Sequence, residues 1–188
     1  MTQDFRELAG LLVRYRDLWR DEVAVIDRFE ALLARRQDCL LRTCFDPGHI
    51  TASAWVASPD ASRAVLLHHG KLHKWLQPGG HVDGEDRVWL AARREVEEET
   101  GLRALTLHRH DGVLVPLDLD VHRIPARKDE PEHEHHDVRF LFVVDPSAAV
   151  IRSDESHEVR WIETARIGEF TAEESVLRLL RKARALLR

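Results

Sequence analysis

Between Pro78 and Leu102 the chain reads PGGHVDGEDRVWLAARREVEEETGL, and this stretch constrains the rest. A Pro-Gly-Gly turn is expected to lead through the acidic loop Asp83-Gly84-Glu85-Asp86 into a helix ending at Gly101. Glu95, Glu98 and Glu99, spaced i, i+3 and i+4, then share one helix face. They lie toward the C-terminal end, where the helix dipole disfavours negative charge. Carboxylates crowded there cost stability, and a hard, oxygen-seeking cation would relieve the repulsion. A solvated acidic face beside Arg93 and Arg94 is the alternative that helix physics leaves open. Asp86 is placed to cap the first turn, and Gly79 and Gly80 allow a close backbone approach or a sharp turn.

These positions resemble the signature of the Nudix hydrolases. Gly80 opens it, Arg94-Glu95-Val96, Glu98-Glu99 and Gly101-Leu102 follow, and every spacing fits without a gap. One position departs, because Asp86, with Glu85 beside it, stands where the family has Glu. The resemblance implies an α/β chain folded as a Nudix-like α/β/α sandwich with a mixed sheet. It implies hydrolysis of a nucleoside diphosphate linked to another moiety, such as a nucleotide sugar or ADP-ribose, with Mg²⁺ or Mn²⁺ as cofactor. Glu95, Glu98 and Glu99 would be metal ligands, joined by the carbonyl of Gly79, and Arg94 would orient a motif carboxylate. Such metals neutralise phosphoryl oxygens and acidify water, while a carboxylate accepts the proton. That acceptor has no fixed place in the family. Glu98, Glu99, Glu155 and Glu158 are its candidates, and Glu155 is favoured outside the helix because it precedes a strand.

Two other readings share this fold. A diphosphate isomerase needs a protonating acid and usually a reactive cysteine, but Cys39 and Cys44 lie far in sequence from the motif. A nucleotide-sensing module that has lost hydrolysis would have damaged carboxylates, and all three are present.

The rest of the chain reads as an N-terminal helical extension over 1–38 and a Nudix-like domain over 39–188. Apolar residues from Leu8 to Trp19 and from Val25 to Leu33 recur at three- and four-residue steps, giving a helical hairpin over 4–36 broken near Arg20 to Glu22. Packing or dimerisation is its expected use, so a homodimer is open. Residues 39–45 read as a strand or connector and 46–48 as a turn. Ile50–Ala57 and Ala64–His69 form a hairpin about Ser58-Pro59-Asp60. Strands follow over 102–109, 117–124, 138–145 and 158–162, and a helix over 173–187. Residues 125–137 read as a polar, His-rich loop.

The chain has 12 histidines, and His133, His135, His136 and Asp137 cluster. Zinc ligation is one reading of that cluster, with Asp118, Asp120 and His122 nearby. A loop at the rim of a substrate cleft is the other. His81, inside the glycine turn, and His135 are candidate substrate contacts, as is Trp75, which either stacks on a base or packs against the turn.

A net charge of −5 gives no basic face for nucleic acid, so the expected partner is a small nucleoside diphosphate derivative. No apolar run approaches the ~18 residues that span a bilayer, and the N-terminus is too charged for a secretion signal. The two cysteines form no CxxC pair and fit a reduced, cytoplasmic protein.

Overall fold

The computed structural model describes residues 5–127 and 129–187. Asp4, the expected first helical residue, and the outer ends of the 1–38 and 39–188 segments lie outside them. The elements are α1 (Arg6–Leu18), α2 (Val23–Arg35), β1 (Gly48–Ala57), β2 (Arg63–His69), β3 (Trp75–Leu76), β4 (Gly79–His81), α3 (Val88–Thr100), β5 (Thr106–Leu107), β6 (Asp118–Ile124), β7 (His133–Val143), β8 (Ser156–Glu163), α4 (Ile167–Phe170) and α5 (Glu174–Leu186).

The sheet is mixed. β1 and β7 run parallel in register from Gly48↔Glu134 to Ala57↔Val143, and every other pairing is antiparallel. β1 is buried along its whole length, as expected of a strand covered on both faces. Its even-numbered residues Ile50, Ala52, Ala54 and Val56 join Val138, Phe140 and Phe142 of β7 in a core closed by α1, α2 and α3. On the other face Trp55, Ala57, Leu66 and Leu141 pack against Val176, Leu179 and Leu180 of α5. The result is the α/β/α sandwich the sequence implied. Leu8, Leu11, Leu12 and Tyr15 of α1 belong to the same apolar cluster as the sheet.

β1 and β2 pair only at Val56↔Val65 and Ala57↔Ala64 and then separate. β3 lines β2 and β4 lines β1 beyond that point. Gly79 and Gly80 are therefore strand residues and not the expected turn, because the edge that β1 exposes after leaving β2 needs a partner.

Residues 39–45, open as a strand or a connector, are a connector without strand structure. Three other expectations change. The strand expected over 102–109 shrinks to Thr106–Leu107. Arg87 is the N-cap of α3, with no side-chain cap, so Asp86 does not cap it. His133 to Asp137 are the first half of β7, not a loop. Their polarity signals what that face meets and not an absence of structure.

What it meets is charge. Arg139 is 2% exposed and donates to Asp137 at 2.8 Å and Asp118 at 3.2 Å, with Asp120 3.0 Å away. Asp118 is fully buried and also accepts from Arg178 of α5 at 2.8 Å and Lys182 at 2.7 Å. Lys182 donates to the Tyr15 hydroxyl at 2.7 Å, and that hydroxyl accepts the Leu119 N–H at 3.1 Å. Three aspartates and three cations thus clamp β6, β7, α5 and α1 together. Removing one partner of such a buried set leaves an uncompensated charge. Asp118→Ala is expected to lower unfolding stability by about 3–5 kcal/mol, read as the shift in the urea midpoint at constant slope.

Candidate active site

α3 carries Glu95, Glu98 and Glu99 against β4. It ends at Gly101, whose φ of 72° gives the left-handed cap that glycine accepts without strain. The three carboxylates sit in different surroundings. Glu98 remains exposed, 3.8 Å from Arg94. The Glu95 side chain is 15% exposed and accepts from Arg94 at 2.8 Å. Arg94 also donates to the backbone oxygen of His81 at 2.7 Å, tying the helix to β4.

Glu99 is 9% exposed and accepts the Gly79 N–H at 2.9 Å. Among the described residues no cation lies within 4 Å of it. Glu97, off this face, instead pairs with Arg93 at 2.8 Å and Arg103 at 3.7 Å. Burial pushes the Glu99 carboxyl up to about 8, and the charges of Glu95, Glu155 and Glu98 add to that against the pull of the Gly79 N–H. Burial raises Glu95 as well, opposed by Arg94 and reinforced by Glu98 and Glu155. Glu155 therefore belongs to the same electrostatic group, although it lies far along the chain. It is exposed immediately before β8, with its carbonyl held by the Gly70 N–H at 3.0 Å. Glu158 is engaged with Arg160 instead.

The donors suit a hard cation, because they are carboxylate oxygens backed by main chain. Glycine at 80 is required for them to sit there. A Cβ at that position would lie 2.5 Å from an oxygen of Glu95.

The other expected contacts are placed elsewhere. The Trp75 ring meets Phe170 edge-on at 5.3 Å, and the Arg160 guanidinium lies 5.9 Å over it. His81 pairs with Thr51 and Gly80 with Ala52, so adjacent residues of β4 face opposite sides of the sheet. Gly80 faces α3, whereas the His81 ring lies 5.1 Å from His49 and 5.5 Å from His135. His135 joins this group through the pairing His49↔His135. His136 points to the opposite face, edge-on to Phe29 at 5.2 Å. Asp137 accepts from Thr51 and Ser53, at 3.2 and 2.7 Å, in addition to Arg139. Asp118, Asp120 and Asp137 are thus engaged with arginine, lysine and hydroxyls, and Asp120 also meets His122 at 2.9 Å, but among the described residues no aspartate joins the histidines in a group of three converging donors. His49 was missed. It sits in an apolar strand, and only its register partner reveals it.

Cys39 and Cys44 are buried thiols, not joined in a disulfide, with pKa values pushed up by burial to about 12 and about 11. Neither is an activated nucleophile, so the isomerase's usual requirement is not met by these two thiols.

The family model described as the NUDIX domain matches residues 47–182, well over half of the chain. The chain belongs to the Nudix family. A probable DHNTP pyrophosphohydrolase of Lactococcus lactis subsp. cremoris is 31% identical over 100 residues, 53% of this chain and 57% of that relative. An RNA pyrophosphohydrolase of Bradyrhizobium diazoefficiens is 36% identical over 74 residues, 39% of this chain and 43% of that relative. The matched region thus spans about half the length of these curated relatives. Among solved structures, a binary complex of the C. elegans Ap4A hydrolase superposes with a TM-score of 0.56 at 24% identity, covering 73% of this chain and 96% of that one. This last likeness is one of fold. The Nudix motif thus lies within the matched region, whereas α1 and α2 precede it.

Because Glu99 is raised above its value in an unfolded chain, the folded protein holds a proton there that the unfolded chain releases. Stability without divalent cations is then full below the ordinary glutamate range and falls as pH rises toward about 8. Glu99→Gln keeps an acceptor for the Gly79 N–H and removes the charge. In EDTA at pH 8 this variant is expected to melt several degrees above the parent, with the gap closing at pH 4.5. A melting temperature that does not rise at pH 8 would contradict the uncompensated charge.

Proposed function

We propose that the protein is a metal-dependent pyrophosphohydrolase acting on a nucleoside diphosphate linked to another moiety. The observation that carries this reading is Glu99, a buried carboxylate without a cationic partner among the described residues, held against Gly79 beside Glu95. A fold does not retain such a charge for stability, whereas a divalent cation would offset it.

In this reading Glu95, Glu98 and Glu99, with the carbonyl of Gly79, would hold Mg²⁺ or Mn²⁺, which when bound would supply charge neutralisation at phosphoryl oxygens and a more acidic water. Arg94 is a positioning residue. Its donations to Glu95 and to the backbone of His81 fix the carboxylate relative to β4. Water attacks one phosphorus, the bridging P–O bond breaks, and the other phosphate departs with the electron pair. The water's proton passes to a carboxylate. Glu155 is the acceptor we favour outside the helix. It is exposed, it shares the electrostatic group of Glu95 and Glu99, and its backbone is anchored at Gly70.

Trp75 remains a substrate contact in this reading, through whatever part of its ring Phe170 and Arg160 leave uncovered. His81 and His135 are reassigned from substrate contact to the imidazole group around His49. The names of the relatives, a probable DHNTP pyrophosphohydrolase and an RNA pyrophosphohydrolase, support the reaction class and leave the leaving moiety open. We place 1–38 as an extension packed on the Nudix domain and the protein in the cytoplasm. No helix among the described residues is long and apolar enough to cross a membrane.

A panel of nucleotide sugars, ADP-ribose, dinucleoside polyphosphates and nucleoside triphosphates, assayed with Mg²⁺ and with Mn²⁺, tests the proposal by which phosphoanhydride bond breaks. Glu98→Gln is expected to cut turnover by orders of magnitude with an unchanged circular dichroism spectrum. Glu155→Gln is expected to lower kcat by about 10²–10⁴ with little change in KM, as for loss of a positioned base. Release of no product from any member of the panel would overturn the hydrolase reading.

A further inference from the structure

The imidazoles on the face of the sheet away from α3 form a group that the hydrolase reading does not use. His49, His81 and His135 each offer a ring nitrogen, and these atoms all lie within 4.8 Å of one another. The three come from three separate parts of the chain, β1, β4 and β7. Backbone pairing brings them together. His49 is the direct register partner of His135, with ring centroids 4.7 Å apart, and His81 pairs one step along the same face.

An independent observation comes from His49, which is 1% exposed. Its Nδ1 lies 3.1 Å from the carbonyl of Cys44. A carbonyl only accepts, so Nδ1 carries the proton and Nε2 keeps its lone pair. Nε2 is buried and has no hydrogen-bond partner among the described residues. A ligating histidine has this arrangement: one nitrogen fixed by a main-chain carbonyl, the other free to bind. Next to it, His133 stacks on His49 at 5.1 Å, hydrogen-bonds the Pro131 carbonyl through Nδ1 at 2.8 Å, and reaches the Nε2 of His135 through Nε2 at 3.3 Å. That contact uses the proton on the Nε2 of His135 and leaves its Nδ1 as a donor lone pair. The alternative to a metal site is a packed imidazole cluster. It explains the ring contacts but leaves His49 Nε2 buried and unsatisfied, which costs stability.

We propose that His49, His81 and His135 bind a zinc ion, at a site separate from the carboxylates. The donor chemistry separates the two ions. Neutral imidazole suits zinc and its neighbours, whereas the oxygen set on α3 suits Mg²⁺ or Mn²⁺. Zinc–nitrogen bonds of about 2.0–2.1 Å in a tetrahedron place the nitrogens about 3.4 Å apart, so the rings need to close by about an ångström. His81 and His135 are only half-buried, which gives the ion a way in and their side chains room to move. Three protein ligands leave a fourth position, which a water fills. The ion would fix β4 on the face opposite the carboxylates. Gly80 and His81, adjacent in the chain, would then each serve a different site.

The test uses the whole chain, stripped with chelator and reloaded in excess Mg²⁺. One equivalent of Zn²⁺ is expected to bind by calorimetry and to raise the melting temperature. Co²⁺ in its place is expected to give the intense visible absorption of a four-coordinate nitrogen site. Glu98→Gln is expected to keep zinc binding, and His135→Gln and His81→Gln to lose it. Zinc uptake abolished by Glu98→Gln and kept by both histidine variants would overturn the proposal, because the ion would then sit on the carboxylates. If the histidine variants do not fold, the parent decides. No zinc uptake, or a weakly coloured Co²⁺ complex typical of six oxygen ligands, equally overturns it. None of these readouts depends on the hydrolase reading, so either can fail alone.

Discussion

The parallel ladder between β1 and β7 is the constraint on which the rest of the molecule depends. Its unbroken register from Gly48↔Glu134 to Ala57↔Val143 fixes which side chains face each other on both faces of the sheet. On one face it aligns the apolar even-numbered residues that α1, α2 and α3 cover. On the other it sets His49 beside His135, Thr51 beside Asp137 and Trp55 beside Leu141. A slip of one residue would exchange the faces, putting charge into the core and breaking the imidazole group. β4 is read off the same template, since it pairs with β1 where β2 leaves. The position of Gly80 under Glu95 therefore follows from the ladder too.

Two kinds of buried charge rest on this frame, and they differ in how they are balanced. In the set around Asp118 every carboxylate has a cationic partner, Glu22 included, which meets Lys182 at 2.6 Å. Asp118, Asp120 and Asp137 face Arg139, Arg178 and Lys182, with Tyr15 as a shared hydroxyl. It joins the two ends of the chain to the sheet and is complete as it stands. The set on α3 is not. Arg94 serves Glu95 and approaches Glu98, and among the described residues Glu99 receives only a backbone N–H. Structural charge is matched within the protein. The unmatched charge on α3 is the kind that an external cation completes, and on this contrast our functional assignment rests.

The face opposite α3 gives a further reason to view β4 as a hinge between chemistries. Its three residues carry Gly79 against Glu99, Gly80 against Glu95 and His81 against His49. Alternation along the strand sends Gly80 and His81 to opposite sides, so the carboxylates of α3 and the imidazoles stay apart.

By itself the sequence determined the α3 site, because its residues are local. Helical spacing places Glu95, Glu98 and Glu99, and the family's fixed spacing from Gly80 to Leu102 identifies the motif. The helices and the longer strands were also legible, since burial on one side imposes a period of 3.6 or 2. Local reading failed where meaning lay in a distant partner. The polar residues His133 to Asp137 resembled a loop because the charges and imidazoles that face them come from β1, β6 and α5. The glycines of β4 resembled a turn because only the divergence of β1 from β2 makes a strand there. Glu155 entered the electrostatic group of α3, and His49 met His81 and His135, through pairings across the sheet that no spacing along the chain encodes. Local periodicity thus set the elements. The tertiary fold decided which charges are matched and which donors converge, because both depend on register between residues far apart in the chain.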